Sequence, residues 1–462
     1  MDREVLRARI FEAGVPANPL AGRPVASIED PVAQLGRDLF FTKALGGDYD
    51  AACATCHHPA LGGGDALSLP IGVHALHPDV LGPGRLHRMG WPGYDGGPTV
   101  PRNAPTTFNL VLLDAVLFHD GRIESLVPHA GAHGAGPEGI RTPDVPFGTA
   151  DPAAGNTLAS AQARFPVTSA EEMRGFDFEA GQGTDVVREH LACRLGDYGV
   201  GANELPAPRW ESRFRQVFDR LTEPVEEVVT FDFVAEAIAR YELSQVFLDS
   251  PFQRFVEGDD DALSDAALRG AELFFTPRSA GGAGCADCHN GPALTDERFH
   301  VLAVPQIGRG KGDGLDGRHD FGRARVTNLG ADQFAFRTPS LLNVAVTGPY
   351  GHDGAYENLE AMVRHHLDPA AAVAAYGEHL PSQPGIQTDG WEERTQMILE
   401  RVSLPPLDLD DDEVADLLAF LEALTDPCVE DRACLAPWIP DPDAPDPDGF
   451  RLDAIDPEGN PL

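Results

Sequence analysis

Long apolar runs are missing from this chain. Of its 462 residues 42% are hydrophobic, enough to bury a core, but no run approaches the ~18 residues of a membrane span. Basic residues are scarce: 35 Lys and Arg stand against 73 Asp and Glu, a net charge of −38. That balance argues against nucleic acid and against an anionic membrane as partners. It suits a basic partner protein, or simply a soluble surface with an acidic tail. The N-terminus, Met1-Asp-Arg-Glu-Val5, has no basic and apolar export signal. No strand-rich block appears, so the expected fold is mainly α.

Cysteine is also rare, with seven in the chain, yet four of them fall into two matching stretches. These are Cys53-Ala-Thr-Cys56-His57 and Cys285-Ala-Asp-Cys288-His289. C-x-x-C-H is the attachment signature of a c-type haem. Two thiols three residues apart can form thioethers to both vinyl groups of one porphyrin. The adjacent His is then placed under the iron. Zinc sites usually repeat C-x-x-C or pair it with a distant pair of His residues, rather than setting a His directly after each pair.

The surroundings of the two stretches repeat as well. Gly36-Arg-Asp-Leu39-Phe40-Phe41-Thr42 precedes the first, and Gly270-Ala-Glu-Leu273-Phe274-Phe275-Thr276 precedes the second. Pro105-Thr-Thr-Phe-Asn109, His119-Asp-Gly121 and Leu126 follow the first. Pro339-Ser-Leu-Leu-Asn343, His352-Asp-Gly354 and Leu359 follow the second. Pro105 lies 48 residues after His57, and Pro339 lies 50 after His289. An internal duplication of over a hundred residues predicts two cytochrome-c-like domains, each holding one covalent haem. Since haem is joined to Cys outside the cytoplasm, the chain reads as a periplasmic mature form whose signal is absent.

The expected boundaries are 1–225 for the first haem domain, 226–425 for the second and 426–462 for an acidic, Pro-rich tail. Two long irregular loops, about 61–101 and 131–156, belong to the first domain. An amphipathic helix over 231–247, with Phe233, Ala237, Ile238 and Tyr241 on one face, opens the second. A last helix starts at Asp410-Asp-Asp-Glu413 and turns Val414, Leu417, Leu418 and Leu421 inward. Cys428 and Cys434 are close enough in sequence for a disulfide, and Cys193 reads as a buried, inert thiol.

The ordered motifs, with Asn103-Ala-Pro105-Thr, Phe118-His-Asp-Gly-Arg122, Phe336-Arg-Thr-Pro-Ser-Leu341 and Pro349-Tyr-Gly-His-Asp-Gly354 beside the two attachment sites, resemble the bacterial dihaem cytochrome c peroxidase superfamily. The resemblance spans roughly 30 to 425. Phe165-Pro-Val-Thr-Ser-Ala-Glu-Glu172-Met173 and the ending Cys428…Cys434-Leu-Ala-Pro-Trp438 extend it toward the MauG/MbnH-like branch. It implies that the first haem reacts with hydrogen peroxide and that the second relays electrons. It also implies a protein partner and a calcium ion between the domains.

By this resemblance the sixth ligand of the second haem lies fourteen residues after His352, at His366, with His365 as the alternative if the helix register slips by one. A His/His haem favours Fe(III) more than a His/Met one. It suits a branch in which peroxide takes both haems to a high-valent state and a partner protein is oxidised. For acid–base work at the first haem the candidates are His119, His129 and Glu172, with His133 placed opposite His366 by the repeat. Trp91 or Phe108 is the aromatic residue expected between the haems, and Arg102, Arg122 and Arg337 the propionate partners. His74, His77 and His87, in the first long loop, are expected in solvent. Three functions fit: peroxide-driven oxidation of a residue, Trp in the first reading, on a partner protein; reduction of peroxide with electrons from a donor protein; and electron carriage without catalysis.

Overall fold

The computed structural model describes residues 2–206 and 208–462. The helices that frame the sites are α1 (Arg3–Glu12), α2 (Pro31–Phe41), α3 (Phe231–Glu242), α4 (Asp265–Phe275), α5 (Leu359–Leu367) and α6 (Asp411–Glu422). Among the described residues the strands are two or three residues long, so the fold is mainly α.

The helix starts follow from local chemistry. Asp30 caps α2 by accepting from the Val32 amide, and Pro31 occupies the first turn, where no amide donor is needed. Ser264 caps α4 at Ala267. Asp410 and Glu413 form a reciprocal capping box on α6, with three acids in its first turn.

Two helix pairs form the centres of two cores. Helix α2 packs on α3, and α4 packs on α6. Each contact needs a glycine. A Cβ on Gly36 would stand 1.8 Å from the Ala237 carbonyl oxygen, and one on Gly270 would stand 1.9 Å from that of Asp416. The aromatic contacts beside them match: Phe40 on Tyr241 and Phe274 on Phe420, both at 4.9 Å.

Three expectations of domain organisation change. Helix α3 ends at Glu242 and stands with the first core, because Val234, Ala237, Ile238 and Tyr241 bury against α2. Helix α1 stands with the second core, through Leu6 and Ile10. The 426–462 segment is no loose tail: Leu435, Ile439 and Leu452 enter the first core, and the Trp210 indole donates to Asp448. Cys428 and Cys434 form the disulfide, and Cys193 is buried.

The first long loop is tied down rather than solvated. The buried Arg85 guanidinium donates to the carbonyls of Ile71, Gly72, Pro78 and Val80. His74 and His87 are therefore buried, contrary to expectation, and only His77 of the three is exposed. His74 is held by Asp48 at 2.9 Å.

Candidate haem sites

Cys285, Cys288 and His289 line one cavity together with His366. Its volume is about 300 Å³, and its walls are mostly apolar, among them Phe274, Val344, Leu417 and Leu421. The imidazoles of His289 and His366 face each other with ring centroids 6.3 Å apart. An iron with two nitrogen bonds of about 2 Å each fits between them. His289 Nδ1 lies 3.1 Å from the Leu294 carbonyl and His366 Nδ1 lies 2.9 Å from that of Met362. A carbonyl can only accept, so Nδ1 carries the proton on both rings and Nε2 keeps its lone pair for a metal. Burial pushes His289 down to about 4, with the neighbouring His366 acting the same way, so the ring is neutral and ready to bind.

His365 is engaged elsewhere. It is fully buried, with Nδ1 2.8 Å from the Tyr356 hydroxyl and Nε2 2.7 Å from the Leu302 carbonyl. Of the adjacent pair, only His366 is aimed into the cavity.

The first motif differs. Cys53–Cys56 forms a single helical turn, and His57 Nδ1 lies 3.2 Å from the Gly63 carbonyl, which again leaves Nε2 free. Burial lowers His57. Glu172 and Met173 stand on this side. The Met173 and Cys53 sulfurs are 4.0 Å apart, and the Glu172 charge is felt by both Cys53 and Cys56. Burial raises Glu172 against the opposing pull of Arg122 and Lys311, so its carboxyl holds a proton to higher pH than an ordinary Glu.

The other distal candidates are not brought here. His119 lines the cavity of Cys285 and His289 (the second cavity, after the second motif), where its Nε2 is 3.0 Å from the Asn103 carbonyl. The cause is a tight turn: Phe118 sits at φ 66°, and the Arg337 amide ties the His119 carbonyl to the second half. His352 lines the same cavity, so the two His-Asp-Gly motifs meet there. Burial holds His119 at about 4 and His352 at about 3. His129 follows Pro128 on an exposed loop and pairs with Glu138 at 3.1 Å. His133 is buried, but Leu113 and Ala159 occupy its ring nitrogens.

Trp91 is 44% exposed and packs against His74 and Arg88, which does not suit a place between haems. Phe108 suits such a place better. It is buried, it lines the second cavity, and it touches Gly63, whose carbonyl holds His57.

Of the three arginines, Arg102 is already engaged. It pairs with Asp120 at 2.6 Å and with Asp320 through two bonds of 2.6 and 2.8 Å. Arg122 lies over the Phe118 ring at 3.9 Å. Arg337 lines the second cavity with only carbonyls as partners and remains available to a carboxylate.

One buried acid escaped the motif search. Glu242, on α3, is 3% exposed, its Oε2 has no partner, and burial alone raises it to about 8. The repeat contains the signal that finds it. The register that pairs Tyr241 with Phe420 sets Glu242 against Leu421, a wall residue of the second cavity.

The sequence profile of the di-haem cytochrome c peroxidase family matches residues 30–261. The methylamine utilization protein MauG of Methylorubrum extorquens is 29% identical over 426 residues, covering 92% of this chain and 83% of that protein. A cytochrome-c peroxidase, IdrP1, of Denitromonas iodatirespirans is 30% identical over 447 residues, covering 90% and 88%. The fold is shared with a MauG-like protein associated with microbial copper homeostasis, at a TM-score of 0.56 and 21% identity over 91% of this chain and 96% of that one. The chain therefore belongs to the di-haem cytochrome c peroxidase family and is a peroxidase-type oxidoreductase that carries two haems.

Proposed function

We propose that this chain is a periplasmic oxidase that uses hydrogen peroxide to oxidise a residue, Trp in this reading, of a partner protein. In this reading Cys53 and Cys56 hold the first haem covalently, Cys285 and Cys288 hold the second, and the two halves are copies of one unit. His57 and His289 are the proximal ligands, and His366 is the sixth ligand of the second iron. When bound, the haem pair supplies two oxidising equivalents taken from peroxide.

The observation that carries this reading is the asymmetry across the two sites. A second imidazole faces His289 at 6.3 Å, whereas Met173 and Glu172 stand beside Cys53 and Cys56. His366 therefore closes one iron, and the other side of His57 is left to substrate. The backbone carbonyls on His289 and His366 make both rings stronger donors and favour the oxidised metal. Glu172, raised by burial, takes a proton from peroxide and returns it to the leaving oxygen.

A second reading, reduction of peroxide by a donor protein, is supported by the likeness to the cytochrome-c peroxidase IdrP1. Family membership sets aside a carrier without catalysis. Electron paramagnetic resonance of the resting ferric protein, repeated after one equivalent of peroxide, tests the proposal. One high-spin and one bis-His low-spin signal, both lost on peroxide addition, are expected. Two low-spin signals that ignore peroxide would sink both readings.

A further inference from the structure

Phe108, buried beside both C-x-x-C-H sites, continues into a packed aromatic line. Its ring meets Phe247 edge to face at 4.6 Å, and Phe247 meets Trp438 in the same way at 4.9 Å. Phe247 is 2% exposed, whereas Trp438 is only half-buried and reaches the surface. The line is held firmly. Asn109 clamps the backbone of Phe247 from both sides, accepting from its amide at 2.8 Å and donating to its carbonyl at 3.0 Å. Trp438 is fixed by its indole N–H, which donates to the Ser244 carbonyl and hydroxyl, both at 3.1 Å. The Tyr241 hydroxyl donates to the Trp438 carbonyl at 2.8 Å. The Cys428–Cys434 disulfide closes the segment just before it.

Each of these features favours an electron leaving Trp438. Rings in van der Waals contact leave no gap for a transferring electron to cross. Oxygen acceptors aimed at the indole N–H place negative dipoles beside a developing positive charge. Phenylalanine is too hard to oxidise to hold that charge, so Phe108 and Phe247 act as packing medium and Trp438 as the stopping point.

Resting on the proposed function, we infer that Trp438 is the electron port of this protein, the surface residue through which a one-electron protein donor, or an oxidisable residue on a partner protein, reaches the haem pair. Peroxide takes two electrons and two protons and leaves as two waters. Trp438 restores them one at a time, each time becoming a radical cation that keeps its N–H proton until the partner refills it. With no partner present, Trp438 gives up both electrons itself. Water then adds an oxygen atom to the emptied ring and releases two protons.

That last outcome gives the test. The ferric holoprotein is mixed with peroxide without a partner, quenched and digested, and the oxygen content of each Trp peptide is read by mass spectrometry. Solvent attack would favour Trp91, which is 44% exposed. The port predicts several-fold more oxygen on Trp438 than on Trp91. Phe247→Leu should cut that yield several-fold without altering the first haem absorbance change. Trp438→Phe should lengthen the life of the oxidised haem spectrum several-fold. Haems that respond to peroxide while Trp438 stays intact, or modification that simply tracks exposure, would overturn the port alone. Haems that ignore peroxide would overturn the functional reading and the port with it.

Discussion

Asn109 and Asn343 donate from their side-chain amides to one acceptor, the carbonyl oxygen of Phe247, at 3.0 and 3.1 Å. Both stand in the left-handed region, at φ 60° and 62°, where Asn is tolerated better than most residues. Their other contacts match too. The Asn109 amide donates to Gln245 and the Asn343 amide to Leu424, just past α3 and α6. Their Oδ1 atoms accept from Phe247 and Asp426, each at 2.8 Å. Two corresponding motifs thus converge on one peptide group at the junction of the cores.

This junction should be sensitive to either amide. Glycine keeps the backbone conformation and removes only the side-chain bonds. Asn109→Gly and Asn343→Gly should each cost about 1–3 kcal/mol, the penalty for leaving buried peptide groups short of partners. Chemical denaturation should show a lower midpoint at unchanged slope. A midpoint equal to that of the parent protein would show that the clamp contributes nothing.

The two neighbouring histidines of α5 should separate cleanly. His366→Ala should turn the second haem high-spin. His365→Gln should keep the low-spin signal, because the Leu302 and Tyr356 contacts of His365 are structural. Its effect should instead be a stability loss of about 1–3 kcal/mol. A low-spin signal that survives His366→Ala would place the ligand elsewhere.

Glu172→Gln should slow the reaction with peroxide by roughly 10²–10⁴-fold while leaving both haems attached. Proton abstraction needs the carboxylate, so the rate should rise with pH through the pKa of Glu172. Burial sets that limb above the ordinary Glu value of ~4.3. A pH–rate profile whose limb persists in the Gln variant would assign the proton transfer to another group.

Glu242 should make the fold less stable toward alkali. Its folded pKa of about 8 lies above that of the unfolded chain, so between about pH 4.5 and 8 the folded state binds more protons than the unfolded one. Stability from this group therefore falls as pH rises through that window, by a few kcal/mol, on the order of 1.4 per pH unit. Glu242→Gln should flatten the curve. Denaturation midpoints at pH 5 and pH 8 that move equally in both proteins would refute this.

Arg102 works in the opposite pH direction. Burial would raise Asp320, but Arg102 overrides it and holds it at about 2, and Asp120 is held well below its usual range in the same way. Their stabilisation is present above the unfolded value of ~3.9 and is lost as pH falls toward 2. Removing the cation leaves buried Asp320 unpaired and Asp120 with Arg122 alone at 3.9 Å, so Arg102→Met should cost about 3–5 kcal/mol near neutrality. Thermal melts from pH 6 down to 3 should show the difference from the parent protein shrinking with acid. A constant difference would exclude the ion triad as its source.

What could be read from the chain alone was local. The C-x-x-C-H cysteines and their histidines sit within one helical turn, whereas His366 came from the family resemblance. The glycines of α2 and α4, the caps and the last helix are likewise written in short windows. What failed to be read depends on how distant segments meet. The turn at Phe118 and the Arg337 amide carry His119 into the second cavity. Arg85 pulls His74 and His87 inside, and the last thirty-odd residues complete the first core rather than trail from it. Short-range geometry is dictated by neighbouring residues, and so the sequence determined the two C-x-x-C-H turns and their histidines. Only the tertiary structure decided what surrounds the first, because a residue beside an iron is put there by contacts made scores of residues away.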